Sequence, residues 1–560
     1  MSTNLFKEHE PKLQDALKAI QERGFFSAYP EVPSGKIYGD TAKVDGQTAF
    51  EGYLGNLFAL AQSGSEGTVG DETSPYGIPM GTQYPKSIIE LLVAGMSESC
   101  IAWRNASIET RVGIAMEILD RLNKRSFEMA LAVMHTTGQG FMMAFQAGGP
   151  HAQDRGLEAV AYAYKAMRDC PTETTWKKQV GRDDFVTLDK TFKIVPRGIG
   201  LVIGCSTFPT WNTYPGLFSS LVTGNAVVVK PHPGAILPLA ITVQICQDVL
   251  AEQGFSADVV TLVADTSGQP VTAELVENDD INIIDYTGGT SFGDWVEANA
   301  GNAVVYTEKS GVNSVIIDSV AQMRAVSGNL AFSLCLYSGQ MCTTPQNIFI
   351  PKDGIETDEG HLSFDEVAGA IVKGVDWVLS DQGRANEVLG AIQNEVTAER
   401  VDNTTGMVLR EGSPIEHAMF KGARTRSVKI IQLEANDKEI FEQEMFGPIV
   451  YIVATESTEK SIELASSIAM EYGAISCGLY STNDTVIDKA FDAMTLAGVP
   501  VSCNLTGNIW VNQSAAFSDF HVSGANPSGN ATLSDLSFVT GRFNVVQCRT
   551  FVPEPKKVDA

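Results

Sequence analysis

The chain has 560 residues, 44% of them hydrophobic, and a formal net charge of −27. That length exceeds what one simple core serves and implies two large domains or more, while the acidic balance excludes a nucleic-acid partner, whose phosphates demand a basic surface. The charge reads as one of solubility or of a salty cytoplasm; no apolar run approaches the roughly 20 residues that span a bilayer, and the opening "MSTNLFKEHEPK" lacks the apolar segment of a signal peptide.

A first helix is expected over 7–24, where apolar residues recur at helical spacing and Gly24 supplies a stop. The Gly/Ser/acidic stretch 61–77 reads as a surface loop. Helical patterns dominate from 86 to 169, most clearly over 110–140, where Gly138-Gln139-Gly140 looks like helix-end punctuation. "FVTLDKTFKIVP" (185–196) alternates apolar and polar residues, as an exposed antiparallel strand does. After Gly198 short β-branched runs alternate with helical ones. They are "GLVIGCS", then "NTYPGLFSSLVTG", a helix expected to break at Pro215, then "NAVVVKP", "LPLAITVQICQDVLAEQG", "DVVTLVAD", "PVTAELVEN", "INIIDYTG" and "TSFGDWVEANA". Such alternation means a parallel sheet covered on both faces, and ligands bind at the C-terminal ends of its strands. A second α/β region begins near residue 302 and holds "GPIVYIVAT" (447–455) and "YGAISCGLYS" (472–481); the tail "RFNVVQCRTFV" (542–552) has strand composition.

The nine cysteines are scattered, odd in number and form no C-x-x-C pair, and the seven histidines make no H-E-x-x-H cluster. Neither a disulfide framework nor a metal site is expected, and a reducing cytoplasm fits. One cysteine has unusual company: "SGQMCTT" (338–344) sets Cys342 among small hydroxyls, an amide and Gly339, in a joint between a helical segment and the strand-like "NIFIP". Cys335, two helical turns earlier if the helix continues, reads as a packed core thiol or a second reactive one. Three further features lie near strand ends. Thr287, Gly288, Gly289 and Thr290 offer backbone N–H groups and a helix N-terminus to an anion such as pyrophosphate, or are a plain helix cap. Lys230 in "AVVVKPHP" can reach a ribose hydroxyl or a phosphate, or is an ordinary strand-end lysine. Glu308 in "VVYTEKSG" is a base beside an apolar run, or a loop glutamate.

In combination these features run in a fixed order: Trp211-Asn212, Lys230-Pro231, the Thr-Gly turn, Glu308, Cys342, and "EMFGP" (444–448). That order, with the interval from Glu308 to Cys342, resembles the aldehyde dehydrogenase superfamily. "FPTWNTYPG" (208–216) is similar to the family's P-W-N-F-P stretch and "EMFGP" to its E-I-F-G-P. The stretches 135–164, 230–235, 306–319 and 337–347 further resemble the PaaN branch of phenylacetate degradation, implied to oxidise the open-chain, CoA-linked aldehyde left by ring cleavage. No fused hydratase is expected beyond the C-terminus.

The resemblance implies Cys342 as nucleophile, Glu308 as the base for thioester hydrolysis and the Asn212 amide as an oxyanion donor. It implies Lys230, His232, Pro233, Thr287, Gly288, Gly289, Gly293, Glu444 and Phe446 as cofactor contacts, with Phe208 and Trp211 beside the substrate. Two positions depart from the family pattern. Pro233 stands where NAD-preferring members commonly carry glutamate, and Gly289 where a serine is usual. With no carboxylate at 233 to repel a 2′-phosphate, and with Lys230 and a protonatable His232 adjacent, NADP is the expected preference over NAD. CoA-acylating aldehyde dehydrogenase, or a non-catalytic nucleotide- or aldehyde-binding protein, are the alternatives; Glu308 argues against the first and the joint presence of Cys342, Asn212, Glu308 and Glu444 against the second.

The implied fold is α/β: a Rossmann-like cofactor domain, an α/β catalytic domain and a β-ribbon for oligomerisation. The expected boundaries are 1–174, the helical N-terminal part of the cofactor domain; 175–196, an oligomerisation hairpin; 197–309, the Rossmann-like core; 310–511, the catalytic domain; 512–540, a return to the cofactor domain; and 541–560, a C-terminal oligomerisation strand. The expected partners are a small aldehyde, CoA-linked on the PaaN reading, and further copies of the chain as a homodimer or dimer of dimers, with neither nucleic acid nor membrane.

Overall fold

The structure, a computed structural model, describes residues 2–553; the last seven residues of the expected 541–560 strand lie outside them. Two parallel sheets dominate. The five-stranded sheet runs Val260–Leu262, Ala226–Lys230, Ile199–Ile203, Ile281–Gly288, Val304–Lys309, all parallel. Its first strand in the chain, Ile199–Ile203, lies in the middle, so the winding reverses between it and Ile281–Gly288. That reversal opens a crevice at the strands' C-terminal ends. The seven-stranded sheet runs Met407–Arg410, Lys429–Glu434, Ile449–Thr455, Asn347–Pro351, Ser314–Ile317, Cys477–Tyr480, Val501–Cys503; only its Met407–Arg410 edge is antiparallel. Strands such as Ala226–Lys230 and Ile449–Thr455 are buried at every residue. Continuous Val/Ile runs suit them because helices cover both faces.

A third, antiparallel sheet pairs Phe543–Val552 with Phe185–Pro196 and the latter with Glu173–Gln179. It carries exposed Trp176, Val545, Val546 and Phe551. No helix among the described residues is long and apolar enough to cross a membrane.

Several local expectations are corrected. The first helix spans Ser2–Glu22, and Arg23, not Gly24, takes the left-handed position after it, with φ 54°. Its guanidinium reaches Tyr162 Oη at 2.8 Å, an anchor that holds a backbone conformation costly for a side-chain-bearing residue. The expected surface loop 61–77 contains a strand, Ser65–Val69, and the buried Glu72, whose carboxylate accepts the N–H groups of Ile236 and Leu237 at the start of helix Leu237–Glu252. Helix Pro209–Val222 continues through Pro215. Proline removes one backbone donor, but nearly every residue of this helix is buried. Packing outweighs the local penalty.

After Lys309 the chain enters the seven-stranded sheet at Ser314, and the segment 512–540 later folds back onto the first half. There Phe517 N–H donates to Glu158 Oε1 at 3.0 Å, Arg155 Nη2 donates to Ser514 Oγ at 2.7 Å, and Arg155 Nη1 donates to Leu533 O at 3.1 Å. Arg155 and Glu158 pair at 2.8 Å, both side chains fully buried on helix Pro150–Arg168.

Candidate active site

The N-terminal edge of the seven-stranded sheet faces the C-terminal edge of the five-stranded one. Cys342 arrives there through an abrupt turn. The helix Met323–Cys335 ends, and Tyr337, Ser338 and Gly339 follow with φ of 51°, 49° and 66°. Two successive non-glycine residues in the left-handed region are costly, on the order of 1–3 kcal/mol each. Their side chains are held: Tyr337 Oη donates to Thr137 O, and Ser338 Oγ donates to Leu389 O at 3.1 Å. Gly339 is required twice, for its φ and because a Cβ there would lie 2.4 Å from Gly447 O. The Gln340 amide donates to Ala391 O at 3.0 Å and accepts from Gln393 N–H. Asn313 Nδ2 donates to Cys342 O at 2.7 Å, while its Oδ1 accepts from Ile475 N–H. The company around the thiol is thus mostly backbone carpentry that aims it across the cleft. Cys335, by contrast, is fully buried, and burial pushes its thiol up to about 12; it is a core residue.

Glu308 lies in the strand Val304–Lys309, and Asn212 in the first turn of helix Pro209–Val222. Asn212 Nδ2 donates to Glu308 Oε2 at 2.8 Å, and Cys205 Sγ approaches Asn212 Oδ1 at 3.5 Å. A residue without a motif completes the group. His521, on the returning segment, places Nε2 3.0 Å from Glu308 Oε1 and 3.9 Å from Cys342 Sγ. The Glu308 and His521 side chains are 2% and 3% exposed. Nothing in the sequence marks His521: it is one dispersed histidine, and its place depends on residues 526–530 lying along the Glu308 strand, where Lys309 N–H donates to Ser528 O at 2.6 Å and Asn530 N–H to Thr307 O. Cys205, also unmarked by the sequence reading, sits behind Asn212.

Cys342 is half-buried. Burial first, then the Glu308 carboxylate, push its thiol well above the ordinary range. The ligand atoms of Glu308, Cys342 and His521 lie within 4.8 Å of one another. They already bond to each other, and Asn212 occupies the second Glu308 oxygen, so the set forms a hydrogen-bonded network.

Among the expected cofactor and substrate residues, Glu444 and Phe446 line the same recess as Cys342. Burial raises the Glu444 carboxyl, opposed by a hydrogen bond from Ser310 and by the Arg400 charge. Thr287 shares a second recess with Asn212 and Glu308. Trp211 packs edge-on against His521, with ring centroids 4.6 Å apart, and Phe208 against Tyr337. Gly289 caps helix Thr290–Asn299 with no side-chain hydrogen bond to the helix N-terminus, and a Cβ there would meet nothing within 4 Å. Gly288 has a steric reason to lack a side chain, since a Cβ would lie 2.4 Å from Tyr286 Oη. Gly293 has another, the close packing of Lys309. Lys230 and Tyr286 flank Ile203 in register. A helix N-terminus without a side-chain cap, just past the strand at the switch of the winding, fits a dinucleotide pyrophosphate.

The charge expected near Pro233 differs. Lys230 is buried and paired with Asp265 at 2.8 Å. His232 keeps exposed surface, but crowding by surrounding protein, then the Lys230 charge, push its pKa down to about 4. Its Nδ1 accepts from Gly234 N–H. The second positive charge that protonation of His232 would supply is therefore disfavoured near neutral pH.

The model of the "Aldehyde dehydrogenase family" matches residues 83–535. The crystal structure of an NAD-dependent aldehyde dehydrogenase from Burkholderia multivorans superposes with a TM-score of 0.97 at 52% identity, covering 99% of both chains. A benzaldehyde dehydrogenase [NAD(+)] of Pseudomonas putida is 24% identical over 66% of this chain and 71% of its own. Lactaldehyde dehydrogenase of Methanococcus maripaludis is 23% identical over 51% of this chain; the match spans 59% of that relative's length. A Bacillus halodurans NADP-dependent glyceraldehyde-3-phosphate dehydrogenase, at 16% identity and a TM-score of 0.69, covering 88% of this chain and 100% of its own, shares the fold.

Proposed function

This chain belongs to the aldehyde dehydrogenase family, and we propose that it oxidises an aldehyde to a carboxylic acid through a thioester on Cys342. The observation that carries the proposal is the convergence of Cys342, Glu308 and Asn212 where the two sheets face each other. The Cys342 thiolate adds to the aldehyde carbon. The Asn212 amide has two N–H groups, of which one is bonded to Glu308, leaving the other for the oxyanion. A bound nicotinamide dinucleotide supplies the acceptor for the hydride that leaves this adduct. Glu308 then takes a proton from the water that attacks the thioester. The cofactor contacts are assigned to Lys230, Pro233, Thr287, Gly288, Gly289, Glu444 and Phe446, and the substrate contacts to Phe208 and Trp211.

Cys342→Ala is expected to abolish oxidation. Glu308→Gln is expected to give one burst of reduced cofactor and an acyl adduct on Cys342, read by intact-protein mass. Asn212→Ala should lower kcat on the order of 10²–10³. Normal turnover by Cys342→Ala overturns the reading, and an acyl-CoA product on adding free CoA moves it to an acylating enzyme.

The finer reading is the ring-opened, CoA-linked semialdehyde of phenylacetate degradation. It is supported by the PaaN-like stretches, and turnover of that aldehyde against short aldehydes tests it. For the cofactor, Pro233 removes a repulsive carboxylate, which supports use of NADP; the Lys230–Asp265 pair leaves little surplus positive charge, so NAD is expected to serve as well. The domain boundaries given above and a homo-oligomer joined through the three-stranded sheet belong to the same proposal.

A further inference from the structure

We propose that His521 is a positioning residue for thioester hydrolysis: its Nε2–H group donates to Glu308 Oε1 and holds the carboxylate where it can take a proton from the attacking water. The proposal rests on the reading above, in which Glu308 acts on the thioester and not in its formation. A carboxylate accepts and does not donate, so the proton of this pair is assigned to Nε2, 3.0 Å from Oε1. Asn212 Nδ2 donates to the other oxygen at 2.8 Å. Each oxygen of Glu308 thus has one fixed donor and keeps a lone pair for water. Cys342 Sγ, 3.9 Å from Nε2, lies beside this arrangement and takes no proton from it.

Backbone strain marks the placement of the ring. Val522, the next residue, has φ 59°, a left-handed conformation costly for a β-branched side chain. Leu533 N–H donates to His521 O at 3.0 Å, and Gly529 of the same segment bridges Glu308. A Cβ on Gly529 would lie 2.5 Å from Thr307 O, so this approach admits only glycine. Histidine and glutamate are therefore carried on backbones tied to each other, and Trp211 packs edge-on against the imidazole.

The need is geometric. A general base works only within hydrogen-bond reach of the water it deprotonates, and an ångström of misplacement can cost about a hundredfold. Glutamate has a long, rotatable stem. Without a donor on Oε1 the carboxylate is free to turn about its one bond to Asn212. The His521 and Glu308 side chains are 3% and 2% exposed, so bulk water is not at hand to replace the lost donor. Formation of the thioester does not use Glu308, so loss of this hydrogen bond should slow one step and spare the other.

The test is a set of single turnovers by the full chain, with enzyme in excess over propanal and NAD saturating, quenched over time and read by intact-protein mass. Reduced cofactor reads formation of the Cys342 adduct, and loss of the adduct mass reads its hydrolysis. His521→Phe keeps a ring against Trp211 but has no donor. His521→Asn has a donor that falls short of Oε1, and His521→Gln puts an amide nitrogen where Nε2 stands. His521→Phe and His521→Asn are expected to lose the adduct at least about tenfold more slowly, with reduced cofactor forming within about threefold of the wild-type rate. His521→Gln should bring adduct loss back to within about threefold of wild type. Adduct loss at the wild-type rate in His521→Phe or His521→Asn overturns the proposal. So does equal slowing of both steps, or a His521→Gln as slow as His521→Asn; that pair decides the matter even if His521→Phe does not fold. Glu308→Gln separates this proposal from the functional reading. No adduct on Cys342 in that variant removes the reading itself, whereas a trapped adduct there with wild-type decay in the His521 variants removes only His521.

Discussion

At the scale of single residues, cofactor choice depends on which charges near the ribose site are free. Lys230 has its ammonium on Asp265 at 2.8 Å, and His232 is neutral near pH 7 because its pKa is about 4. A histidine with a depressed pKa gains its charge only as pH falls towards that value. The ratio of kcat/KM for NADP to that for NAD is therefore expected to stay flat between about pH 6 and 8. A ratio rising steeply towards NADP between pH 8 and 6 would show that His232 charges there. Pro233→Glu should move the ratio towards NAD by at least tenfold, since like charges about 4 Å apart repel by up to about 4 kcal/mol at an effective dielectric near 20. The same scale explains Gly339: one atom more at that position collides with Gly447 O, whatever its φ.

At the scale of elements, the segment 512–540 brings His521 to the site, and helix Pro150–Arg168 anchors it. The Arg155–Glu158 pair is fully buried and makes further hydrogen bonds to Ser514, Phe517, Asp519 and Leu533. Burial raises the Glu158 carboxyl even with Arg155 lowering it. Arg155→Met would leave that carboxylate buried with only the Arg23 guanidinium, at 3.4 Å, and the Phe517 N–H to balance it, and is expected to cost about 3 kcal/mol. Protease cleavage within 512–540 should rise in parallel, and the Arg155→Met/Glu158→Met double variant should recover part of the loss. Equal cleavage of wild type and Arg155→Met would show that the anchor lies elsewhere.

At the scale of the whole molecule, the antiparallel sheet of Glu173–Gln179, Phe185–Pro196 and Phe543–Val552 is largely uncovered. Strand Phe543–Val552 is exposed at most positions, with Val545, Val546 and Phe551 facing out. Small sheets with exposed apolar residues are marginal in water and gain stability when a second copy covers them. Light scattering at micromolar concentration is expected to give a dimer or a multiple of it, and truncation after Gly541 to give smaller or aggregating species. A monodisperse full-length monomer would remove the sheet from any role in assembly.

The alternation of β-branched runs with helices, by itself, determined a parallel sheet buried on both faces after Gly198 and a second α/β region after residue 302. That pattern is local, and each strand's burial is written in its own side chains. Cys342 was legible from its own small and amide neighbours, whereas Glu308 and Asn212 were legible only through the order and spacing of stretches that resemble the family. Tertiary structure alone decided the rest. Pro215 stays inside a helix because packing on all sides outweighs one lost donor. Arg23 holds a left-handed turn because Tyr162 binds its guanidinium. Lys230 loses its free charge to Asp265 from the neighbouring strand's end. His521 stands beside a thiol and a carboxylate only because the returning segment pairs with the Glu308 strand. Sequence pattern fixes which face of an element is apolar; the partner of a charge, and hence its protonation, is set by residues far away in the chain.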